Sequence, residues 1–222
     1  VANNNIIEYL NAATDPFNGN NNANTLINES QSVITSNIGA ANYDIGHTFS
    51  TGGGGLAGLG VVCNTTQKAR GITGSPSPTG DAYDIDYVAH EMGHQFGGYH
   101  TQSSNNCRSG NQTEVEPGSG STIMGYAGIC AANVQSNSDA YFAYVNIRDI
   151  LLNVKSGVSS SCAQLTPFAN NPPVVNAGAD YTIPKSTPFQ LTATGSDPDG
   201  NTLTYCWEER DPEAVLPTTE NT

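Results

Sequence analysis

Apolar positions fall into separated runs along the chain, and each run predicts a different element. Leu26, Ile27, Val33, Ile34 and Ile38 recur near helical spacing with Gly39 behind them, which predicts a helix over Thr25 to Ile38. Ile85, Val88, Ala89, Met92 and Phe96 stand at i, i+3, i+4, i+7 and i+11, one continuous stripe along a second helix. Asp84 or Asp86 is placed to cap its start, and Gly97-Gly98 ends it. A third helix is expected over Ser138 to Ser156, with Phe142, Val145, Ile150, Leu151 and Val154 along it and Gly157 as the stop. Strand signals are weaker. Ile6 to Leu10 reads as a strand or strand end, Tyr43 to Phe49 as a strand, Gly52 to Gly55 as a glycine turn, and Leu56 to Cys63 as a strand of little side-chain bulk. Asp15 to Asn22, Gly71 to Gly80 and residues 101–122 read as loops.

The pattern changes at Thr166 to Pro173, a Pro- and Asn-rich stretch that reads as a linker. Beyond it, Tyr181 to Ile183, Phe189 to Ala193 and Leu203 to Trp207 are short alternating segments, with a turn signal at Asp197 to Asn201. They suggest part of a β-sandwich, since a whole one needs about seven strands. The expected organisation is a first domain over 1–166, a linker over 167–173 and a partial β module over 174–222.

Composition narrows the function. Charged residues are 12 % of the 222, and the net charge is −13 with only seven Lys and Arg. No basic patch for nucleic acid can be assembled from so few cations. No apolar run of about 18 residues is present, so no membrane span is expected. Acidity does favour solubility and calcium. The five cysteines are widely spaced with no C-x-x-C pair. Two disulfides and one leftover thiol is the simplest reading, and it implies an oxidising, extracellular setting.

Three of the four histidines fall in one eleven-residue window, His90 to His100. His90 and His94 lie one turn apart on the same helix face, so both imidazoles can reach one metal ion. Glu91 is offset by about 100°, which aims its carboxylate at a metal-activated water rather than at the metal. Gly97 and Gly98 let the chain turn back so that His100 supplies a third nitrogen. Three protein ligands leave a position open, the arrangement of a catalytic zinc site. His47, the fourth histidine, is expected to be an ordinary strand residue without a role.

His90 to His100 reads H-E-x-x-H-x-x-G-x-x-H, which resembles the zinc signature of the metzincin peptidases. HEMGHQFGGYH is most similar to the reprolysin-like (adamalysin-like) branch, in particular its secreted bacterial members. The resemblance covers roughly residues 1–165. It implies an α/β (α+β) catalytic domain with a mixed twisted sheet and an active-site helix, and a first strand and helix lying before Val1. It implies a zinc-dependent endopeptidase acting on proteins or peptides, with zinc on His90, His94 and His100, Glu91 as general base, and Met124 in the methionine turn. Three positions depart from the branch. Thr101 stands where Asp usually follows the third histidine, and Thr122 where Cys often precedes the turn. Tyr126, two residues after Met124, resembles the astacin and serralysin pattern, as a fifth ligand, a transition-state donor or a packing residue.

The same resemblance suggests disulfides Cys63–Cys162 and Cys107–Cys130, with Cys206 left over. It also suggests that substrate pairs with the Leu56 to Val62 edge strand, where Gly58, Leu59 and Gly60 let another chain pass closely. Asp197 and Asp199, alternating around Gly200 with Asn201, resemble a calcium loop that lacks the downstream Glu. The C-terminal segment resembles immunoglobulin-like modules of secreted bacterial proteins, which serve as spacers or as adhesion or carbohydrate-binding units. The alternative is an adhesion or binding protein with a catalytically weak zinc site, and a zinc hydrolase acting on something other than protein is a further rival.

Overall fold

A computed structural model of the protein describes residues 6–211. Helix α1 spans Ala23–Ile38. Asn22 caps it by accepting the Thr25 amide, and Gly39 ends it at positive φ. Its apolar stripe packs Leu26 and Ile27 against Ile72, with Phe17 and Leu56 around them. Beneath it lies a three-stranded sheet in the order β1 (Thr48–Ser50), β3 (Gly71–Gly74), β2 (Gly54–Ala57). β1 runs parallel to β3, and β2 antiparallel to it. The sheet is therefore mixed, and β2 forms one edge. Helix α2 (Asp81–Tyr83), a π-helical stretch (Asp84–Ala89) and helix α3 (His90–Phe96) follow as one continuous rod. Helix α4 (Tyr144–Ser156) packs against α3.

Several expected elements are shorter or elsewhere, and hydrogen bonding explains most of the differences. Ile6 to Leu10 is not a strand; its apolar residues are exposed, and an isolated strand without a partner is not stable. Of Tyr43 to Phe49 only Thr48 and Phe49 join β1. The rest is tied to the Val61–Ala69 stretch, through Gly46 N to Lys68 O, Cys63 N to Asp44 O and Lys68 Nζ to the Ala40 and Tyr43 carbonyls. The rod starts at Asp81 behind Gly80, so neither Asp84 nor Asp86 caps it. Asp86 instead accepts the Ser138 amide at 2.9 Å and Asn137 Nδ2 at 2.7 Å. With Ser138 and Asp139 amides bonded to Asp86 and Ser121, the segment before Tyr144 crosses the molecule irregularly, and α4 begins six residues later than expected.

The largest surprise is the interior. Residues 101–122 read as a solvated loop, yet Thr101, Gln102, Ser103, Ser104 and Glu114 are each at most 1 % exposed. They form a polar core laced by backbone and side-chain hydrogen bonds. Amides and hydroxyls thus fill part of the inside. Two disulfides tie this architecture, Cys63–Cys162 and Cys107–Cys130.

The chain divides into two compact units, the first running to Ala163 and also taking in the described residues 208–211, and the second spanning Gln164–Trp207. The second unit holds one antiparallel pair, β4 (Val174–Asn176) with β5 (Thr194–Ser196). The strands expected at Tyr181 to Ile183, Phe189 to Ala193 and Leu203 to Trp207 do not form ladders among the described residues. Tyr181, Ile183, Phe189, Leu191, Tyr205 and Trp207 are all exposed, and alternation without a facing layer does not hold a strand. Residues 1–5 and 212–222 of the expected domains lie outside the described residues.

Candidate active site

The α3 helix buries its polar side. His90 and Glu91 are 4 % and 8 % exposed and Gln95 is fully buried, while the apolar stripe from Ile85 to Phe96 is only half-buried. Gly97, at φ 107°, stops the helix, and the Gly98 amide returns to Gly93 O at 2.8 Å. That closure swings the chain back and brings His100 beside the helix. His100 Nε2 then lies 3.1 Å from His90 Nε2 and 3.0 Å from His94 Nε2.

Each histidine is oriented from its other nitrogen. His90 Nδ1–H donates to Ile123 O at 2.7 Å, and His94 Nδ1–H to Gly98 O at 2.7 Å. His100 Nδ1 pairs with Ser109 Oγ at 2.8 Å. The Ser109 amide is in turn held by Glu114, which forms a buried ion pair with Arg108 at 2.6 Å. The two carbonyls fix the tautomers of His90 and His94, the serine hydroxyl orients the His100 ring, and the three Nε2 atoms converge. Burial, and then the charge of the neighbouring imidazoles, pulls His90 down to about 3 and His100 to about 4; burial also lowers His94. All three are therefore neutral bases near neutral pH.

Met124 is fully buried against the α3 helix. A β-carbon on Gly93 would stand 2.5 Å from Met124 Sδ and 3.0 Å from Phe142 Cε1. Gly93 is thus the contact through which Met124 packs on the helix. Gly93→Ala should gain about 1 kcal/mol of helix propensity but cost about 1–3 kcal/mol in overpacking. The expected net is a lowered Tm; an unchanged or raised Tm in a thermal melt would show that Met124 repacks freely.

Glu116 explains two departures from the family pattern together. Its Oε2 accepts the Thr101 hydroxyl and, at 2.6 Å, the Thr122 hydroxyl. Its Oε1 accepts the Ser121 and Thr122 amides at 2.9 and 3.0 Å. One carboxylate thereby staples the residue after His100 to the residue two before Met124. The sequence offered no signal for Glu116, which lies in a polar stretch that reads as a loop.

The cluster opens onto a cleft of about 290 Å³ lined by Leu56, Ala57, Leu59, Glu91, Tyr99 and Tyr126 among others. Burial pushes the Glu91 carboxyl up to about 8. The Tyr126 ring centroid lies 4.6 Å from that of His100, and burial together with the Glu91 charge raises its phenol. Gly58, Leu59 and Gly60 do not belong to the edge strand, which ends at Ala57. The Gly60 amide donates to His94 O and the Val62 amide to Gln95 O. These carbonyls end the α3 helix and need partners, so they draw the chain off the ladder. Leu59 still lines the cleft.

His47, expected as an ordinary strand residue, lies just outside the strand. It precedes β1 and joins the sheet to the helix: Nδ1–H donates to Gln95 Oε1 at 2.7 Å, and Nε2 accepts from Thr73 Oγ1 at 2.8 Å. Gln95 Nε2 continues to Gly46 O. At the turn of Asp197 and Asp199, Asp197 Oδ1 accepts the Asp199 and Asn201 amides, and Asp199 accepts from the Asn171 amide and side chain. Among the described residues the only cluster of three such ligands is His90, His94 and His100.

That cluster fits zinc. Bonds of about 2.0–2.1 Å in tetrahedral geometry place neighbouring ligand nitrogens about 3.3 Å apart, within a few tenths of the distances here. Three neutral imidazoles with anchored Nδ1 atoms are the donor set zinc prefers. A comparison with curated proteins finds no match. The pattern of the reprolysin-like metallo-peptidase family M12B, in contrast, matches residues 1–160. With most of its length inside that match, the chain belongs to the reprolysin-like metallopeptidases of family M12B.

Proposed function

We propose that this protein is a secreted zinc endopeptidase of the metzincin type, with His90, His94 and His100 as ligands and Glu91 as general base. The observation that carries the reading is the convergence of three anchored, neutral imidazole nitrogens beside a buried carboxylate at a cleft under a sheet edge. Zinc, when bound, supplies the Lewis acidity that polarises a scissile carbonyl and acidifies a water. Glu91 takes the proton of the attacking water and delivers it to the departing amine. Tyr126, whose phenol keeps its proton, lines the same cleft and donates to the developing oxyanion. Substrate lies extended along the free edge of β2 and pairs through its backbone. Gly58, Leu59 and Gly60 shape the far end of that path.

The two disulfides support an extracellular setting, where thiols oxidise. Residues 1–166 form the peptidase domain in this reading, 167–173 the linker, and 174–222 part of an immunoglobulin-like module that contacts surfaces or carbohydrate. The alternative, a binding protein with a weak zinc site, is disfavoured by the intact Glu91 and by the family. The test is hydrolysis of an unfolded protein by the zinc-loaded chain. Cleavage should stop with a chelator and return with zinc. Stoichiometric zinc without any cleavage, with the full natural chain, would defeat the reading.

A further inference from the structure

β2 passes directly over Glu91. A β-carbon on Gly55 would stand 2.2 Å from Glu91 Oε1 and 2.6 Å from its Cδ and Cγ. Conformation does not demand glycine here. Gly55 lies within the ladder, paired with Thr73, and its φ is not in the left-handed region, unlike that of Gly54 at φ 91°. A β-carbon on Gly54 would meet nothing within 4 Å. Glycine inside a strand weakens it, so the residue at 55 carries a cost that its backbone does not explain. What it permits is the close approach of the Glu91 carboxylate to the strand.

We propose that Gly55 is a positioning residue for Glu91. The bare backbone of β2 sets where the carboxylate rests in the cleft, and a side chain at 55 displaces it while leaving the fold intact. The three nearest atoms to the added carbon are all at the end of the Glu91 side chain, and none is backbone. The flexible carboxylate therefore yields first. Restoring an ordinary contact of 3.4 Å from 2.2 Å moves it by about 1 Å, a misplacement that costs a reacting group about a hundredfold in rate. Gly55 also lines the cleft on the edge strand assigned to substrate, so the surface that pairs with substrate is the surface that holds the base. The inference rests on Glu91 as general base.

The test compares zinc-loaded wild type, Gly55→Ala, Glu91→Ala and the double variant. Gly55→Ala should bind zinc at wild-type stoichiometry and lose about a hundredfold in kcat with KM close to wild type. Thermal unfolding of the four proteins reads the contact independently of catalysis. With Glu91 present, Gly55→Ala should leave Tm unchanged or lowered; with Glu91 truncated, the same change should raise it, so the effects do not add. Wild-type turnover in Gly55→Ala, or Tm shifts that simply add, overturns the inference. A wild-type protein that binds zinc and cleaves nothing overturns the general-base reading instead, while the thermal cycle still decides whether Gly55 and Glu91 are in contact.

Discussion

Glu91→Ala is expected to keep its zinc and to lose about 10²–10⁴-fold in turnover, the span that a positioned general base supplies. The two effects separate because Glu91 takes no part in holding the imidazoles. His90, His94 and His100 are anchored by Ile123 O, Gly98 O and Ser109 Oγ, none of which touches Glu91. The carboxylate itself accepts no hydrogen bond from the described residues, and its raised pKa comes from burial alone. Truncating it orphans no donor, so no large loss of stability accompanies the loss of activity. A carboxyl with no hydrogen-bond partner among the described residues, buried beside the three histidines with its pKa raised, is kept there at a cost to folding, and that is the pattern of a working group. Elemental analysis should find one zinc per chain in both proteins. If Glu91→Ala retains turnover within about tenfold of wild type, the base is another group. If zinc is lost as well, Glu91 is a structural support.

How much of this was legible in the sequence differs from element to element. Helix α1 was readable because its core face and its Gly39 stop are local signals, whereas Asn22, read as part of a loop, caps it and starts it two residues before the expected Thr25. The end of the active-site helix was readable for the same reason, since Gly97 at positive φ marks it in the chain. Its start was not, because Asp86 spends its carboxylate on Ser138, a long-range partner that no local pattern announces. The edge strand, expected over Leu56 to Cys63, runs over Gly54–Ala57; apolar residues from Leu56 to Val62 look strand-like, whereas the Gly60 and Val62 amides are taken by the helix terminus. The cluster of three histidines was legible since their spacing is itself the geometry. The polar groups packed around that helix and cluster were not. His47, Gln95, Ser109 and Glu116 are ordinary polar residues in sequence, and only the fold brings each to its partner.

Of those hidden groups Glu116 should matter most. Glu116→Ala is expected to lower stability by about 3–5 kcal/mol and zinc affinity by about 10–100-fold. The stability loss follows from the donors left behind. Two hydroxyls and two amides aim at this carboxylate, and Thr101 and Thr122 are at most 2 % exposed, so water does not readily replace it. The affinity loss has a different origin. Thr101 follows His100 directly, and its amide also donates to Met124 O at 3.2 Å, so the staple fixes the third ligand relative to the turn beneath the first. His90 is held from Ile123 O in that same turn. Loosening one end therefore widens the spacing of His90 and His100 without altering either side chain. Glu116→Gln separates the two effects. The amide keeps the volume and one acceptor oxygen, but its NH₂ group faces two donors, so an intermediate loss is expected in both measurements. Thr101→Val with Thr122→Val removes the same two hydroxyl bonds from the other side and should reproduce part of the affinity loss, read by competition with a chromophoric chelator. If all these variants melt earlier yet hold zinc as tightly as wild type, Glu116 supports the polar core alone and the metal site is rigid without it.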